Sequence, residues 1–260
     1  MVIDVHAHIF PDKIAEKATT GIEKFYDLAM SSVGTVDNLL FEGEKAGIDR
    51  FVVHSVATTP KQVESINGFI KETVSKYPEK FIGFATMHPD YDSVQKELER
   101  AIADGLKGVK IHPDFQHFLI DDESAFPLYE CIEGRVPLLV HTGDYRYEYS
   151  KPERMARVMD RFPNLTVIGA HFGGWSIWEE ATRFMAGRKN FYVDCSSSLY
   201  AISSETAAGL IHAYGADKVL FGSDFPMWTP AEELERFGRI PLTDEEREMI
   251  LWKNAYDLLK

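Results

Sequence analysis

Apolar, β-branched and aromatic residues in this chain fall into short runs, separated by longer stretches in which apolar positions recur at helical spacing. The runs predict strands at 2–9, 48–56, 81–88, 106–112, 136–141, 165–171, 190–194 and 219–224. Between them the spacing predicts helices at 62–76, 93–104, 126–133, 154–162, 175–186, 205–214 and 231–237. A closing helix at 244–259 starts after Thr243, with acidic residues in its first turn where the helix dipole favours them. Eight strands alternating with helices in 260 residues predict an α/β fold, a single-domain (β/α)8 TIM barrel with an extra C-terminal helix. A doubly wound open sheet is the alternative. No Gly-rich stretch, Ser/Pro linker or charge block divides residues 1–260, which therefore read as one domain. The connection from Phe10 to about Gly47 is the longest, carries Phe25, Tyr26 and Met30, and has the length to fold partly over the barrel mouth.

In such a barrel the C-terminal ends of the strands carry the chemistry, so polar residues there have special weight. Seven of the nine histidines fall at these ends: His6, His8, His54, His88, His112, His141 and His171. Only His117 and His212 lie elsewhere, while Lys110, Asp194 and Asp224 close three further runs or share one. Strand alternation places Asp4, His6 and His8 on one face and Val5, Ala7 and Ile9 on the other. Two imidazoles held side by side on a rigid strand suit a divalent cation, for which neutral imidazole is a common ligand. His6, His8, His141, His171 and Asp224 form the leading ligand set, because each closes an apolar run that buries its strand. His54 and His88 read equally well as hydrogen-bonded residues beside the site.

Composition narrows the partners. A hydrophobic content of 45% with 12% aromatic residues is enough for a large core, and the formal net charge of −13 argues against nucleic acid and anionic membranes, which are polyanions. The expected partner is a small molecule, anionic if Lys110, His112 and Arg146 form its pocket. Arg146 offers a fork suited to a carboxylate, its alternative being an ion pair with Asp144 or Glu148. Cys131 and Cys195 are too few for a disulfide framework, and no apolar run approaches a membrane span, so a soluble, cytoplasmic protein is expected. Trp175, Ile177, Trp178 and Phe184 suit either a homodimer face or packing on the barrel. Ser196, Ser197 and Ser198 lack the Gly-x-Ser-x-Gly elbow of a serine nucleophile.

Four motifs together resemble the amidohydrolase superfamily: His6-Ala7-His8, Leu139-Val140-His141-Thr142, Gly169-Ala170-His171-Phe172-Gly173-Gly174 and Phe221-Gly222-Ser223-Asp224-Phe225-Pro226. The chain is similar to the amidohydrolase-related branch, which holds aminocarboxymuconate semialdehyde decarboxylase, resorcylate-type decarboxylases and several lactone or amide hydrolases, and Trp252-Lys253-Asn254-Ala255 looks like the branch's closing signature. The resemblance implies one divalent metal on His6, His8, His141 and Asp224, zinc being the expected ion and manganese also suitable, with His171 polarising the metal-bound water. In binuclear members the position of Lys110 holds a carboxylated lysine bridging two ions, in which case His141 and His171 would bind the second. Such a site predicts hydrolysis of a small amide, ester or lactone, the metal lowering the pKa of its water to about 7 and Asp224 carrying the proton. Non-oxidative decarboxylation of a small unsaturated or aromatic acid on the same site is the alternative. The family's decarboxylases are generally longer, which tilts the expectation to hydrolysis.

Overall fold

The structure, a computed structural model, describes residues 1–260. Its eight strands are β1 (Ile3–His8), β2 (Arg50–His54), β3 (Phe81–Thr86), β4 (Gly108–Ile111), β5 (Leu138–Val140), β6 (Val167–Gly169), β7 (Phe191–Asp194) and β8 (Val219–Leu220). They run parallel in the order β1 to β8. The helices are α1 (Asp12–Tyr26), α2 (Val36–Ala46), α3 (Val63–Lys76), α4 (Val94–Ala103), α5 (Pro113–Gln116), α6 (Phe126–Ile132), α7 (Pro152–Arg161), α8 (Trp178–Met185), α9 (Ser204–Tyr214), α10 (Pro230–Gly238), α11 (Asp244–Glu248) and α12 (Asn254–Leu258). This is the (β/α)8 barrel expected from the strand count.

Several strands are shorter than their apolar runs, and the reason is functional geometry. Residues 221–224, predicted to continue the last strand, leave the ladder and with Phe225 bond to β1 instead. Val5 N–H donates to the Phe221 carbonyl (2.9 Å), Asp224 N–H to His6 (2.8 Å) and His8 N–H to Phe225 (2.7 Å). These bonds bring the first and last strands together and set Asp224 against the two histidines of β1.

The core has two layers. Ile3, Val5, Val52, Ile82, Phe84, Leu139, Ile168, Ala170 and Leu220 fill the barrel axis, closed from below by Ala255 and Leu259 of the C-terminal segment. A larger cluster, with Phe51, Phe81, Val109, Val140, Val193 and Phe221, lies between strands and helices. Membership shows that the strict alternation expected for β1 fails: Val5 belongs to the axis, whereas Ala7 and Ile9 face the helices. The register of β1 against β2 shifts between Asp4 and Ala7. Asp4 drives this bulge by accepting from the N–H groups of His6 and Ser223, both at 3.0 Å.

The long first connection folds into α1 and α2. Tyr26, at the end of α1, reaches the mouth and bonds to His112 Nε2 at 2.9 Å. The closing helix begins as predicted, Thr243 and Glu246 forming a reciprocal cap that contributes on the order of 1 kcal/mol. It is helical from Asp244 to Leu258, with a π-helical turn at Met249–Lys253 between α11 and α12. Trp175 is buried, and Trp178 and Phe184 pack against the outer core. No helix is long and apolar enough to cross a membrane.

Candidate metal centre

The strand ends surround a small, mostly enclosed chamber bordered by His6, His8, Lys110, His112, His141, His171 and Asp224, with Tyr26, Ile22 and Phe115 above. Two local departures from regular strand geometry aim these groups. Ile168 and Ala170 of the sixth unit already face the axis, so alternation alone would turn His171 outward. Instead His171 and Phe172 adopt φ of 59° and 53°, and this left-handed turn swings the imidazole into the chamber. Asp224 also has positive φ, 60°. Such backbone costs free energy in a non-glycine residue, and here it occurs where the donors converge. Gly222 makes room for them, since a Cβ there would meet the His6 Cβ at 3.0 Å and the Ser196 Cβ at 3.3 Å.

Protonation follows from the hydrogen bonds. His6 Nδ1 lies 2.9 Å from Asp194 Oδ2, both side chains buried. Burial alone would raise the Asp194 carboxyl, but His6 and the Ser196 hydroxyl hold it well below the usual carboxylate range. An ionised carboxylate only accepts, so His6 carries its proton on Nδ1 and turns the Nε2 lone pair to the chamber. The other Asp194 oxygen accepts from the N–H of His171 (3.1 Å) and from Ser196. Burial pushes His6 down to about 4 and lowers His8, His54, His112 and His141, so that these imidazoles are neutral, the form that binds a cation. Burial works to raise Asp224 as well. The surrounding imidazoles and the His8 hydrogen bond overcome it and keep the carboxyl ionised.

The result is a triangle of electron-rich atoms. His6 Nε2 and His8 Nε2 are 3.2 Å apart, and Asp224 Oδ1 lies 3.3 Å from the first and 3.4 Å from the second. Four ligands at the usual zinc distances of about 2.0–2.1 Å, arranged tetrahedrally, are separated by about 3.3–3.4 Å. The triangle therefore fits a divalent cation. His6, His171 and Asp224 form a second grouping of suitable donor atoms, all within 4.8 Å of one another. His141 Nδ1 stands 3.2 Å from His171 Nε2, and its ring stacks on His112 at 3.9 Å between centroids. The proposed ligand His141 is thus one step removed from the triangle, beside His171, with its Nε2 facing Asp114 at 3.6 Å and lacking a hydrogen-bond partner.

Lys110 is fully buried, and its Nζ donates to His6 Nε2 at 3.1 Å. It stands against the candidate ligands rather than at the rim, and burial pushes its ammonium down to about 8. His112 borders the chamber, fixed by Phe115 N–H on Nδ1 and by Tyr26 on Nε2. Arg146 requires correction. Its Nε and Nη2 both go to Asp144 (2.7 Å for the nearer oxygen), its Nη1 donates to the Phe25 carbonyl (2.6 Å), and it does not border the chamber. Asp144 is completely buried two residues away and claims the fork as its counter-charge. What Arg146 does is tie the end of α1 across the mouth.

Sequence reasoning passed over Asp194 as a site residue although it closes the seventh strand, and the signal was there in its position. It also gave no role to Ser197, whose hydroxyl donates to Asp224 Oδ2 at 2.6 Å. His54 is buried against His6 and His8 with both ring nitrogens unpartnered, and with those two it forms a further donor grouping. His88 is turned away, accepting from Asp90 N–H.

Barrel and donor set together define an enzyme with a divalent-metal site at the C-terminal mouth of its strands. The sequence profile of the amidohydrolase family (Amidohydro_2) matches residues 3–260, and the chain belongs to that family. Among characterised proteins it is 26% identical to a γ-resorcylate decarboxylase from Polaromonas sp., over 75% of this chain and 74% of the relative. Its fold is shared with 5-carboxyvanillate decarboxylase from Sphingomonas paucimobilis (TM-score 0.77, 18% identity, 99% of this chain and 98% of that one). It is shared too with a dihydroxybenzoic acid decarboxylase from Polaromonas sp. JS666 containing manganese and 2-nitroresorcinol (TM-score 0.75, 20% identity, 99% and 96%). The relatives being decarboxylases overturns the expectation of a hydrolase. The fold likeness spans nearly the whole of both chains in these two structures, whereas the sequence match to the resorcylate decarboxylase covers about three quarters of each. The second of these structures contains manganese, the other ion that the donor set suits.

Proposed function

We propose that the protein is a non-oxidative decarboxylase of a small unsaturated or aromatic acid, dependent on one divalent metal, with manganese the first ion to test. The observation that carries the reading is the triangle of His6 Nε2, His8 Nε2 and Asp224 Oδ1 in a chamber that also holds a buried lysine. The characterised decarboxylase relative supports the choice of reaction. When bound, the ion supplies a positive charge that draws a substrate carboxylate or a neighbouring oxygen.

The remaining work belongs to side chains. The Asp194 carboxylate keeps the proton of His6 on Nδ1 and so preserves the Nε2 lone pair. Ser197 anchors Asp224 Oδ2, leaving Oδ1 directed at β1. Lys110, charged below about pH 8, adds attraction for an anionic substrate. Decarboxylation breaks the bond to the carboxyl carbon, releases carbon dioxide, and leaves an electron pair on the substrate carbon that must take one proton. Asp224 and His171 flank the chamber and are assigned that transfer. His171 holds Nδ1–H on the Ser196 carbonyl (3.0 Å), so its Nε2 is the atom that can gain and lose the proton, with Asp224 passing it to carbon.

Carbon dioxide release from the manganese-loaded protein, measured against a panel of dihydroxybenzoates and unsaturated dicarboxylic acids, tests the reading. Release should fall by a factor of about 100 or more in Asp224→Asn and in His171→Asn, the scale of a lost acid–base group. No release from any acid, with metal bound at about one ion per chain, sinks the proposal.

A further inference from the structure

We infer that only the reacting carboxylate enters the metal chamber, and that the body of the substrate lies in a neighbouring apolar cleft, which selects acids bearing an extended apolar substituent. The inference deepens the decarboxylase reading and rests on it for the chemistry, though the binding it predicts can be measured separately.

Volume makes the first argument. The chamber holds about 20 Å³, and about 10–15 Å³ is needed for one water. An ion with one donor oxygen of a carboxylate fits there and an aromatic ring does not. Beside it, between α1 and the segment running from the end of β2 into α3, lies a cleft of about 690 Å³, within the range of small-molecule sites. His8, Ile22 and Phe115 border both spaces, so the cleft adjoins the chamber at His8, one corner of the triangle.

The chemistry of the walls makes the second. Phe10, Ile14, Ile22, Phe25, Ile66 and Phe69 supply the surface. Most polar groups among them are engaged: the Ser55 hydroxyl donates to the Ile9 carbonyl, Gln62 Oε1 takes the N–H of Thr59 (2.9 Å), and the Ser65 hydroxyl donates to the Gln62 carbonyl (3.0 Å), while Lys17 is exposed at the rim. A ligand there gains chiefly by burying apolar area. Ile14 is 49% exposed at the edge of this cleft, one of few large apolar side chains left so open. Gly21 gives the cleft part of its width, because a Cβ built on it would meet nothing within 4 Å.

The test is calorimetric titration of the manganese-loaded protein with 2,6-dihydroxybenzoate and its 4-methyl, 4-propyl and 4-pentyl derivatives, with carbon dioxide release recorded in parallel. Affinity should tighten by about fourfold per added methylene, the transfer value for a buried CH2. Gly21→Phe and Ser65→Phe fill the cleft from opposite walls, and each should cut the increment below about twofold while circular dichroism reports a folded barrel. A flat or falling series in the parent, or a parent-like increment in either folded variant, overturns the inference. An increment present without carbon dioxide release upholds the cleft and removes the decarboxylase reading. Release with a flat series does the reverse.

Discussion

Replacing Asp194 by Asn changes one atom and tests the site's logic directly. In the parent, Oδ2 accepts from His6 Nδ1 at 2.9 Å between two fully buried groups, and Oδ1 accepts from the N–H groups of His171 and Ser196 and from the Ser196 hydroxyl. The amide of Asn keeps an acceptor for the second set but presents N–H to His6. Two donors then face each other, and the imidazole escapes by moving its proton to Nε2, the atom 3.2 Å from His8 and 3.3 Å from Asp224. The lone pair at the corner of the triangle is lost. Loss of such an orienting partner weakens metal binding by about 10- to 100-fold, or about 1.4–2.7 kcal/mol. Competition with a chromophoric chelator measures the manganese Kd of both proteins, and ¹⁵N shifts of the His6 ring report which nitrogen carries the proton. Because the substitution is nearly isosteric, the melting temperature in chelator should move by only a few degrees. A Kd within twofold of the parent, with the His6 proton unmoved, would refute the argument that Asp194 sets the ligand.

Other outcomes follow from burial and close packing. Lys110 has its folded pKa depressed from 10.5 to about 8 by burial, so between those values the unfolded chain binds more protons and the stability of the metal-free protein rises with pH. Relative to Lys110→Met, the parent should gain about 3 kcal/mol from pH 8 to 10.5 in urea unfolding, and parallel curves would exclude the effect. Gly83→Ala drives a methyl to 2.5 Å from Leu106 and 2.9 Å from Ile70 and Val74, predicting a loss of about 1–3 kcal/mol. Gly209→Ala, exposed in α9 with nothing within 4 Å, should instead gain about 0.5–1 kcal/mol, and equal effects on the two melting temperatures would contradict the packing argument.

Periodicity alone determined the barrel and placed seven histidines, Lys110 and two aspartates at strand ends, because burying a strand requires a readable apolar pattern and the residue that ends the pattern is the one that meets the mouth. It also located the start of the closing helix, since Thr243 and Glu246 form their cap locally. Tertiary structure decided the rest. The bulge at Asp4 and the left-handed turn at His171 reverse what alternation dictates, and the bulge is fixed in part by a contact with Ser223, 219 residues away. The proton of His6 is set by Asp194, 188 residues distant, and the fork of Arg146 is taken by a neighbour whose burial no local pattern announces. A strand records in its own residues which face is apolar, whereas the state of a ligand and the aim of a charge depend on which groups the closed barrel brings within 3 Å of them.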